Sequence, residues 1–287
     1  MKHAINYSSF FQLEKIHNAG YKGQGIGIAI LDTGIYPHQD FNHIVYFQDF
    51  VSYQSSLYDD NGHGTHVAGI VASSKIGVAP EVNLIILKVL NRAGEGKNAG
   101  VLQALDWIIK HKTIYNIRIA NISIGSASKN TEQNRNLINA VNRVWDAGVI
   151  VTSAAGNQGP KNRSITTPGS SYKVITIGSC DDNINPSGRL NYSGRGPTAA
   201  CIQKPDVVAP GSKILSCLNS RTGYIEKSGT SMATPFVSGV IALLLSKEPY
   251  LTPKQVKLRI YQTSLDLGKE ANQQGWGLIN PRGLLKV

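Results

Sequence analysis

Cysteine is scarce in this chain of 287 residues, which contains only Cys180, Cys201 and Cys217. An odd number of cysteines without a Cys-x-x-Cys spacing argues against a disulfide framework and against a structural zinc site. Free thiols in a reducing compartment are the simpler interpretation. The cysteine content therefore favours a cytoplasmic protein.

Long hydrophobic runs are also lacking. The longest, residues 236–245, is interrupted by Ser238 and Gly239 and is shorter than the about 20 apolar residues that span a bilayer. The first ten residues have a basic start but no continuous apolar core, so they do not resemble a signal peptide. These observations argue against a membrane-spanning segment and against a signal peptide.

Acidic residues are outnumbered, with 18 Asp and Glu against 29 Lys and Arg, and the formal net charge is +11. The basic residues are nevertheless scattered, without a block of like charge or the interleaved aromatics of single-strand-binding proteins. This pattern argues against a nucleic-acid partner. A mild attraction to acidic polypeptides is the expected consequence.

Apolar residues make up 41% of the chain, and apolar strand patterns alternate with helical ones. This β-α alternation predicts one α/β domain over residues 1–287, with a mostly parallel sheet and helices on both faces. A Gly-x-Gly-x-Gly run precedes the first strand rather than following it, so it is not a dinucleotide-binding fingerprint. The predicted strands are 25–31, 83–89, 117–124, 149–154, 174–177 and 206–209, with helices at 97–111 and 131–147, a hairpin of 214–218 with 224–227, and a last helix opened by Thr252 and Pro253.

A glycine-led turn, residues 229–235, runs into the longest apolar segment and places Ser231 at the N-terminus of a buried helix. Unpaired N–H groups and the helix dipole favour developing negative charge at that position. Pro235 is predicted to fall in the first turn, where its missing N–H is tolerated. On this evidence alone, Ser231 is either a helix cap or a nucleophile.

Two further segments carry polar groups. Asp32 directly follows the apolar strand 25–31, where it either caps a turn or serves a site at the carboxyl edge of the sheet. His63 and His66 are three residues apart, without the glutamate of the His-Glu-x-x-His zinc helix. His63 is therefore expected in the first turn of a helix packed on the sheet, and His66 is expected to be structural.

Taken together, these segments resemble the subtilisin-like serine peptidases, or subtilases, from about Gly23 to Pro235. The resemblance implies a three-layer subtilisin-like fold and peptide-bond hydrolysis. It implies no required cofactor and, as partner, an extended peptide or protein rather than a nucleic acid or a membrane. The motifs that carry it are Asp32-Thr33-Gly34, His63-Gly64-Thr65-His66, Asn121-Ile122-Ser123-Ile124-Gly125-Ser126, Ala154-Ala155-Gly156-Asn157 and Gly229-Thr230-Ser231-Met232-Ala233-Thr234-Pro235.

By this resemblance Ser231 is the nucleophile, His63 the general base and acid, and Asp32 the group that orients the imidazole. Elementary chemistry agrees, because a serine hydroxyl needs a base to become an effective nucleophile near neutral pH. Asn157 is expected to donate a side-chain N–H to the oxyanion beside the backbone N–H of Ser231. The alternative for Asn157 is an ordinary turn residue between two glycines.

The resemblance also predicts where substrate lies. Two segments are expected to flank an extended peptide as added strands, and a third is expected to form the pocket for the side chain before the cleaved bond. That pocket is predicted to lack an acidic residue, whereas Glu95 favours basic groups further from the bond. The three sets are Ser123, Ile124, Gly125 and Ser126; Gly94, Glu95 and Gly96; and Ala154, Ala155 and Gly156 with Thr166 near the pocket floor.

Two departures from the family pattern matter. Residues 73–80 are too short for the loop that wraps a tight calcium ion in many secreted members, so that site is predicted to be absent although Asp40, a ligand position, remains. A weaker calcium site elsewhere stays open. The family-like region also begins almost at Met1, which suggests an intracellular subtilase without a propeptide, or a sequence recorded without its leader.

An active cytoplasmic peptidase would be hazardous, so restricted specificity is expected, as in a peptidase that removes leader peptides. Two alternatives are a peptide transpeptidase or macrocyclase, in which an amine replaces water, and an inactive subtilase-like binding protein. Labelling by a fluorophosphonate separates the inactive protein from the other two.

Overall fold

The computed structural model describes residues 10–125, 130–182 and 190–287. Helices and strands mostly alternate through its first half, and further strands, a hairpin and four helices follow. In chain order the elements are α1 (Leu13–Asn18), β1 (Gly27–Asp32), β2 (Ile44–Asp49), α2 (His63–Ala72), β3 (Asn83–Lys88), α3 (Asn98–His111), β4 (Ile117–Ile122), α4 (Thr131–Asp146), β5 (Ile150–Ala154), β6 (Ile175–Ser179), β7 (Val207–Ala209), β8 (Ile214–Cys217), β9 (Tyr224–Lys227), α5 (Thr230–Lys247), α6 (Pro253–Thr263), α7 (Ala271–Gln274) and α8 (Pro281–Leu285).

Seven strands form a parallel sheet in the order β2-β3-β1-β4-β5-β6-β7. Strand β1 lies between β3 and β4, and its last residue, Asp32, pairs in register with Lys88. The strands β8 and β9 form a separate antiparallel hairpin, as the sequence predicted. The predicted α/β class with a parallel sheet is confirmed.

Both faces of the sheet are covered, because its strands are apolar on both sides. Ile28 and Ile30 of β1 face a core that contains α2 and α5. Ala29 and Leu31 face a second core, formed with α3 and α4. Such double burial explains why the strand residues form continuous apolar runs rather than an alternating pattern.

Helix α5 differs from its prediction in where it begins. It starts at Thr230, so Pro235 is its sixth residue and lies in the second turn rather than the first. A residue other than proline at position 235 would donate its backbone N–H to the carbonyl of Ser231. Pro235 therefore removes one hydrogen bond of the helix, and the prediction that its missing N–H costs nothing was wrong. By length and composition alone this 18-residue helix could cross a membrane, but 83% of it is buried inside the protein.

Candidate functional site

The polar residues singled out by the sequence gather at the carboxyl edge of the sheet. Asp32 ends β1, Ser123 follows β4, and Asn157 lies three residues beyond the end of β5. These three strands are neighbours, and the helices α2 and α5 begin at the same edge with His63 and Ser231. The parallel topology therefore brings distant segments of the chain to one place.

Asp32 and His63 form a hydrogen-bonded pair. The imidazole Nδ1 is 2.7 Å from Oδ1 of Asp32, which also accepts the backbone N–H of Thr33 at 2.8 Å. Asp32 is fully buried, whereas the His63 side chain is 25% exposed. A carboxylate oxygen can only accept, so the Nδ1 atom carries the proton and Nε2 keeps its lone pair.

The same contacts set the protonation of His63. Burial lowers the pKa of the imidazole, but attraction to the Asp32 carboxylate and their hydrogen bond outweigh it, so the pKa is raised above its usual 6.5. The nearby Lys227 ammonium acts in the opposite direction. The neutral form of His63, which a general base requires, therefore prevails only above this raised pKa.

A buried carboxylate that sequence reasoning missed, Asp59, holds the pair in place. Its Oδ1 accepts the hydroxyl of Thr33 at 2.9 Å and the N–H of Gly62 at 2.7 Å, and its Oδ2 accepts from the Thr65 hydroxyl at 2.6 Å. The Thr33 hydroxyl oxygen in turn accepts the N–H of Gly64 at 2.8 Å. Asp59 thus joins the end of β1 to the first turn of α2. An acidic residue four positions before the histidine helix was the available signal.

The hydroxyl of Ser231 points to a neighbouring strand end. It donates to the backbone carbonyl of Ser123 at 2.8 Å, and the described hydrogen bonds of the chain include none between Ser231 and His63. Rotation about the Ser231 side chain is needed to present the hydroxyl to the imidazole. In resting enzymes such hydrogen bonds often form only when substrate binds.

Asn157 is fixed by the residue that precedes Ser231. Its Oδ1 accepts the N–H of Thr230 at 3.0 Å and the Thr230 hydroxyl at 3.1 Å, which leaves the amide Nδ2 as a donor. A methyl group built on Gly229 would lie 3.3 Å from that Nδ2 and 3.8 Å from the backbone nitrogen of Ser231. Both nitrogen atoms therefore lie within 3.8 Å of one point beside Gly229.

Beneath Ser231 a buried polar network ties α5 to the sheet. The Asn121 side chain donates to the Ser123 hydroxyl at 2.8 Å and accepts the hydroxyl of Ser238 at 2.8 Å. The Ser238 hydroxyl also lies 2.8 Å from that of Thr152. Because buried polar groups are costly when unpaired, this network fixes the end of β4 against the helix that carries Ser231.

A groove of about 820 Å³ runs past His63 along the sheet edge. Two of the predicted substrate-binding segments line it, namely Gly94, Glu95 and Gly96 and then Ser123, Ile124 and Gly125; Ser126 lies outside the described residues. Residues that the sequence reasoning missed complete the wall. They are Thr33, Asn61, Leu90, Lys97, Asn98, Val101, Ile122, Gln133, Asn134, Leu137, Thr167 and Pro168.

Thr166 lies between Gly125 of the second predicted segment and Gly156 of the third. A methyl group built on Gly125 would lie 2.2 Å from its hydroxyl oxygen, and one built on Gly156 would lie 2.4 Å from it. The backbone N–H of Thr166 donates to the carbonyl of Ala155 at 3.0 Å. Ala154 and Ala155 are themselves buried, so the Thr166 side chain fills the space between these glycines.

His66, one turn after His63, has a structural environment. Its Nε2 lies 3.0 Å from the carbonyls of both Ile214 and Ile225, so this nitrogen carries the proton. Burial lowers the pKa of His66 to about 3. The neutral ring joins α2 to both strands of the hairpin that leads to Ser231.

The Asp40 position does not offer the oxygen cage that calcium prefers. Its Oδ2 accepts hydroxyl groups from Ser73 and Tyr224, each at 2.7 Å. Its Oδ1 lies 3.7 Å from the Nδ1 of His38 and 3.6 Å from the ammonium of Lys75, and the Cys217 sulfur is within 4.8 Å of the carboxylate. Calcium takes six to eight oxygen ligands, whereas these neighbours are nitrogen, sulfur and a competing cation.

A parallel sheet that delivers a buried aspartate, a histidine and a helix-N-terminal serine to one edge is typical of serine peptidases of the subtilisin type. Sequence comparison agrees, because the pattern of the Subtilase family matches residues 23–277. The chain therefore belongs to the subtilase family.

Individual relatives are similar over most of the chain. Serine protease AprX of Bacillus subtilis (strain 168) is 41% identical over 291 residues, covering 90% of this chain and 65% of AprX. The chain thus spans less than two thirds of that relative. Subtilisin DY of Bacillus licheniformis is 36% identical over 274 residues, covering 93% of each chain. The solved structure of sphericase superposes with a TM-score of 0.79 at 30% identity, covering 93% of this chain and 96% of sphericase.

Proposed function

We propose that this protein is a serine endopeptidase that forms an acyl-enzyme on Ser231. The observation that carries the proposal is the Asp32–His63 pair at 2.7 Å, with His63 on a groove of about 820 Å³. Ser231 lies at the N-terminus of α5, with the Asn157 amide beside its backbone N–H. These are the groups that acyl transfer to serine requires.

The first step follows from the hydrogen bond between Ser231 and Ser123. An extended substrate bound along residues 123–125 presents its own N–H to the carbonyl of Ser123, as in strand addition. That N–H displaces the Ser231 hydroxyl, which turns to the Nε2 of His63. Substrate binding thereby assembles the nucleophile and the base.

The same groups then act in acylation of Ser231 and again in deacylation. His63 takes the hydroxyl proton as Ser231 attacks the carbonyl carbon, and Asp32 stabilises the imidazolium. The Nδ2 of Asn157 and the N–H of Ser231 hold the oxyanion. His63 returns the proton to the leaving amine, and water deacylates the enzyme by the same route in reverse.

Specificity is proposed to be narrow. Thr166 occupies the space between Gly125 and Gly156, which favours small side chains before the cleaved bond. Glu95 lines the groove further along and favours basic residues there. Such a combination suits a processing role, for instance removal of a leader peptide, more than general digestion.

We further propose that the peptidase works without calcium at Asp40 and in the cytoplasm. The nitrogen and sulfur neighbours of Asp40 support the first point. Cys180, Cys201 and Cys217 are all unpaired, which supports a reducing compartment. Activity that survives a calcium chelator, and recovery of the native protein in the cytoplasmic fraction of its own cells, would be the expected results.

Peptide cleavage with matched serine variants tests the proposal. Ser231→Ala should abolish turnover and fluorophosphonate labelling, whereas Ser228→Ala, three residues earlier and outside the proposed machinery, should retain both. Product masses should show hydrolysis in the presence of an added amine. Cleavage by Ser231→Ala would refute the mechanism, and an amide product would instead indicate a transpeptidase.

A further inference from the structure

Three buried side chains near the C-terminal end of α2, where Ser73 contacts Asp40, form a cluster that peptide hydrolysis does not use. They are His38 and Asp40, from the connection between β1 and β2, and Cys217, from the end of β8. One ligand atom from each lies within 4.8 Å of the others. Each side chain is essentially inaccessible to solvent.

The ring of His38 is held with its unprotonated nitrogen, Nδ1, on the side of Asp40. Its Nε2 is 3.0 Å from the carbonyl of Gly223, which can only accept, so Nε2 carries the proton. Its Nδ1 accepts the backbone N–H of Asp40 at 3.2 Å and lies 3.7 Å from the Oδ1 of Asp40. Histidine ligands of metals are commonly oriented by such a contact between the second ring nitrogen and a carbonyl.

One carboxylate oxygen of Asp40 lacks a hydrogen bond. The hydroxyls of Ser73 and Tyr224 both donate to Oδ2. Oδ1 is buried and accepts no hydrogen bond from the described residues, and its nearest cation is Lys75 at 3.6 Å. The Lys75 side chain is 59% exposed, so it can move into solvent. A buried carboxylate oxygen of this kind needs a positive partner.

We propose that His38 Nδ1, Asp40 Oδ1 and Cys217 Sγ bind one divalent ion of the zinc class. One nitrogen, one oxygen and one sulfur donor suit zinc or cobalt and not calcium. With ligand bonds of about 2.0 to 2.3 Å, tetrahedral donors lie about 3.3 to 3.7 Å apart. The ion replaces the Asp40 N–H at Nδ1 of His38, the nitrogen and the oxygen close in by about 0.4 Å from 3.7 Å, the sulfur closes in by up to about 1 Å, and water is the fourth ligand.

Binding converts the Cys217 thiol to a thiolate, so one proton passes to the buffer for each ion bound. The ion would join the β1–β2 connection to β8, and through the Tyr224 hydroxyl also to β9. These strands form the hairpin that leads to Ser231. The proposed ion is therefore structural, and it should raise the melting temperature by several degrees when it is in excess.

Cobalt is the probe of choice, because a cysteine thiolate bound to Co²⁺ gives a charge-transfer band and tetrahedral Co²⁺ gives strong visible bands. The full chain carrying Ser231→Ala, which prevents self-digestion, would be titrated with Co²⁺. One ion should bind per chain, zinc should displace it, and excess calcium should not. Absence of a thiolate band at saturation would overturn the proposal.

Variants assign the ligands. Cys217→Ser should lose the charge-transfer band, whereas the double variant Cys180→Ser/Cys201→Ser should keep it with Cys217 as its sole thiol. The double variant leaves the cluster intact, so it gives an answer even if Cys217→Ser fails to fold. Lys75→Met should bind Co²⁺ severalfold more tightly because a competing ammonium is removed. Loss of the band in the double variant, or weaker binding by Lys75→Met, would contradict the assigned ligands.

Discussion

The acid stability of this protein should depend on His66, whose environment admits only the neutral ring. Protonation would place a charge on its Nδ1, which is buried without a partner among the described residues. The pKa of His66 is lowered from 6.5 to about 3 by burial. Below pH 6.5 the unfolded chain therefore binds a proton at His66, whereas the folded chain does not until the pH approaches 3. The free energy of unfolding consequently falls as the pH drops from 6.5 towards 3.

The size of the effect follows from the shift. Each pH unit below the unfolded pKa costs about 1.4 kcal/mol, so the loss from this one group reaches about 2 to 3 kcal/mol near pH 4.5. His63 acts with the opposite sign. Its pKa is raised in the folded state. Its contribution to the free energy of unfolding is therefore fully present below pH 6.5 and is lost as the pH rises through the pKa of the folded protein.

Urea unfolding at about pH 7 and about pH 4.5 measures this loss, in the Ser231→Ala background to prevent self-digestion. His66→Gln keeps an N–H donor for the carbonyls of Ile214 and Ile225 but cannot be protonated. It should lose about 2 to 3 kcal/mol less than the parent on acidification. His43→Gln, at an exposed position, is the control. Equal losses in the parent and in His66→Gln would refute the account.

Three further predictions concern the site. The acid limb of kcat/KM should have its midpoint above 6.5, the usual value for histidine, because the pKa of His63 is raised; a midpoint below that value in the pH profile would be evidence against His63 as the base. Asn157→Leu should lower kcat by about 10²- to 10³-fold with little change in KM, and unchanged kcat would remove Asn157 from the oxyanion site. Thr166→Gly should raise the preference for phenylalanine over alanine before the cleaved bond by about 10-fold or more, as measured with paired peptide substrates; an unchanged ratio would show that Thr166 does not limit the pocket.

Much of the fold could be predicted from the sequence, because the sheet is buried on both faces. Doubly buried strands such as β1 and β3 are continuous apolar runs with clear limits. Strand β2 was missed because it lies at the sheet edge and its residues 44–48 are only partly buried or exposed. The start of α5 was misplaced because Pro235 was expected in a first turn. Tertiary packing overrides that preference, with the whole second turn buried in the core.

That Asp32, His63, Asn157 and Ser231 lie at one edge of the sheet was predictable, because each belongs to a short motif at the end of an element. Residues whose role is to position other side chains were not predictable from the sequence. Asp59 matters because of five hydrogen bonds that close only in the folded chain. The cluster at Asp40 was hidden for a similar reason, since its third member, Cys217, lies far along the sequence.

The central claim is that Ser231 is the activated nucleophile of this site. Treatment with a fluorophosphonate, followed by peptide mass spectrometry, tests it most directly. One phosphonyl group per chain is expected, on Ser231, with labelling greatly slowed in His63→Ala. A label on another residue, or labelling of Ser231 that is indifferent to His63, would contradict it.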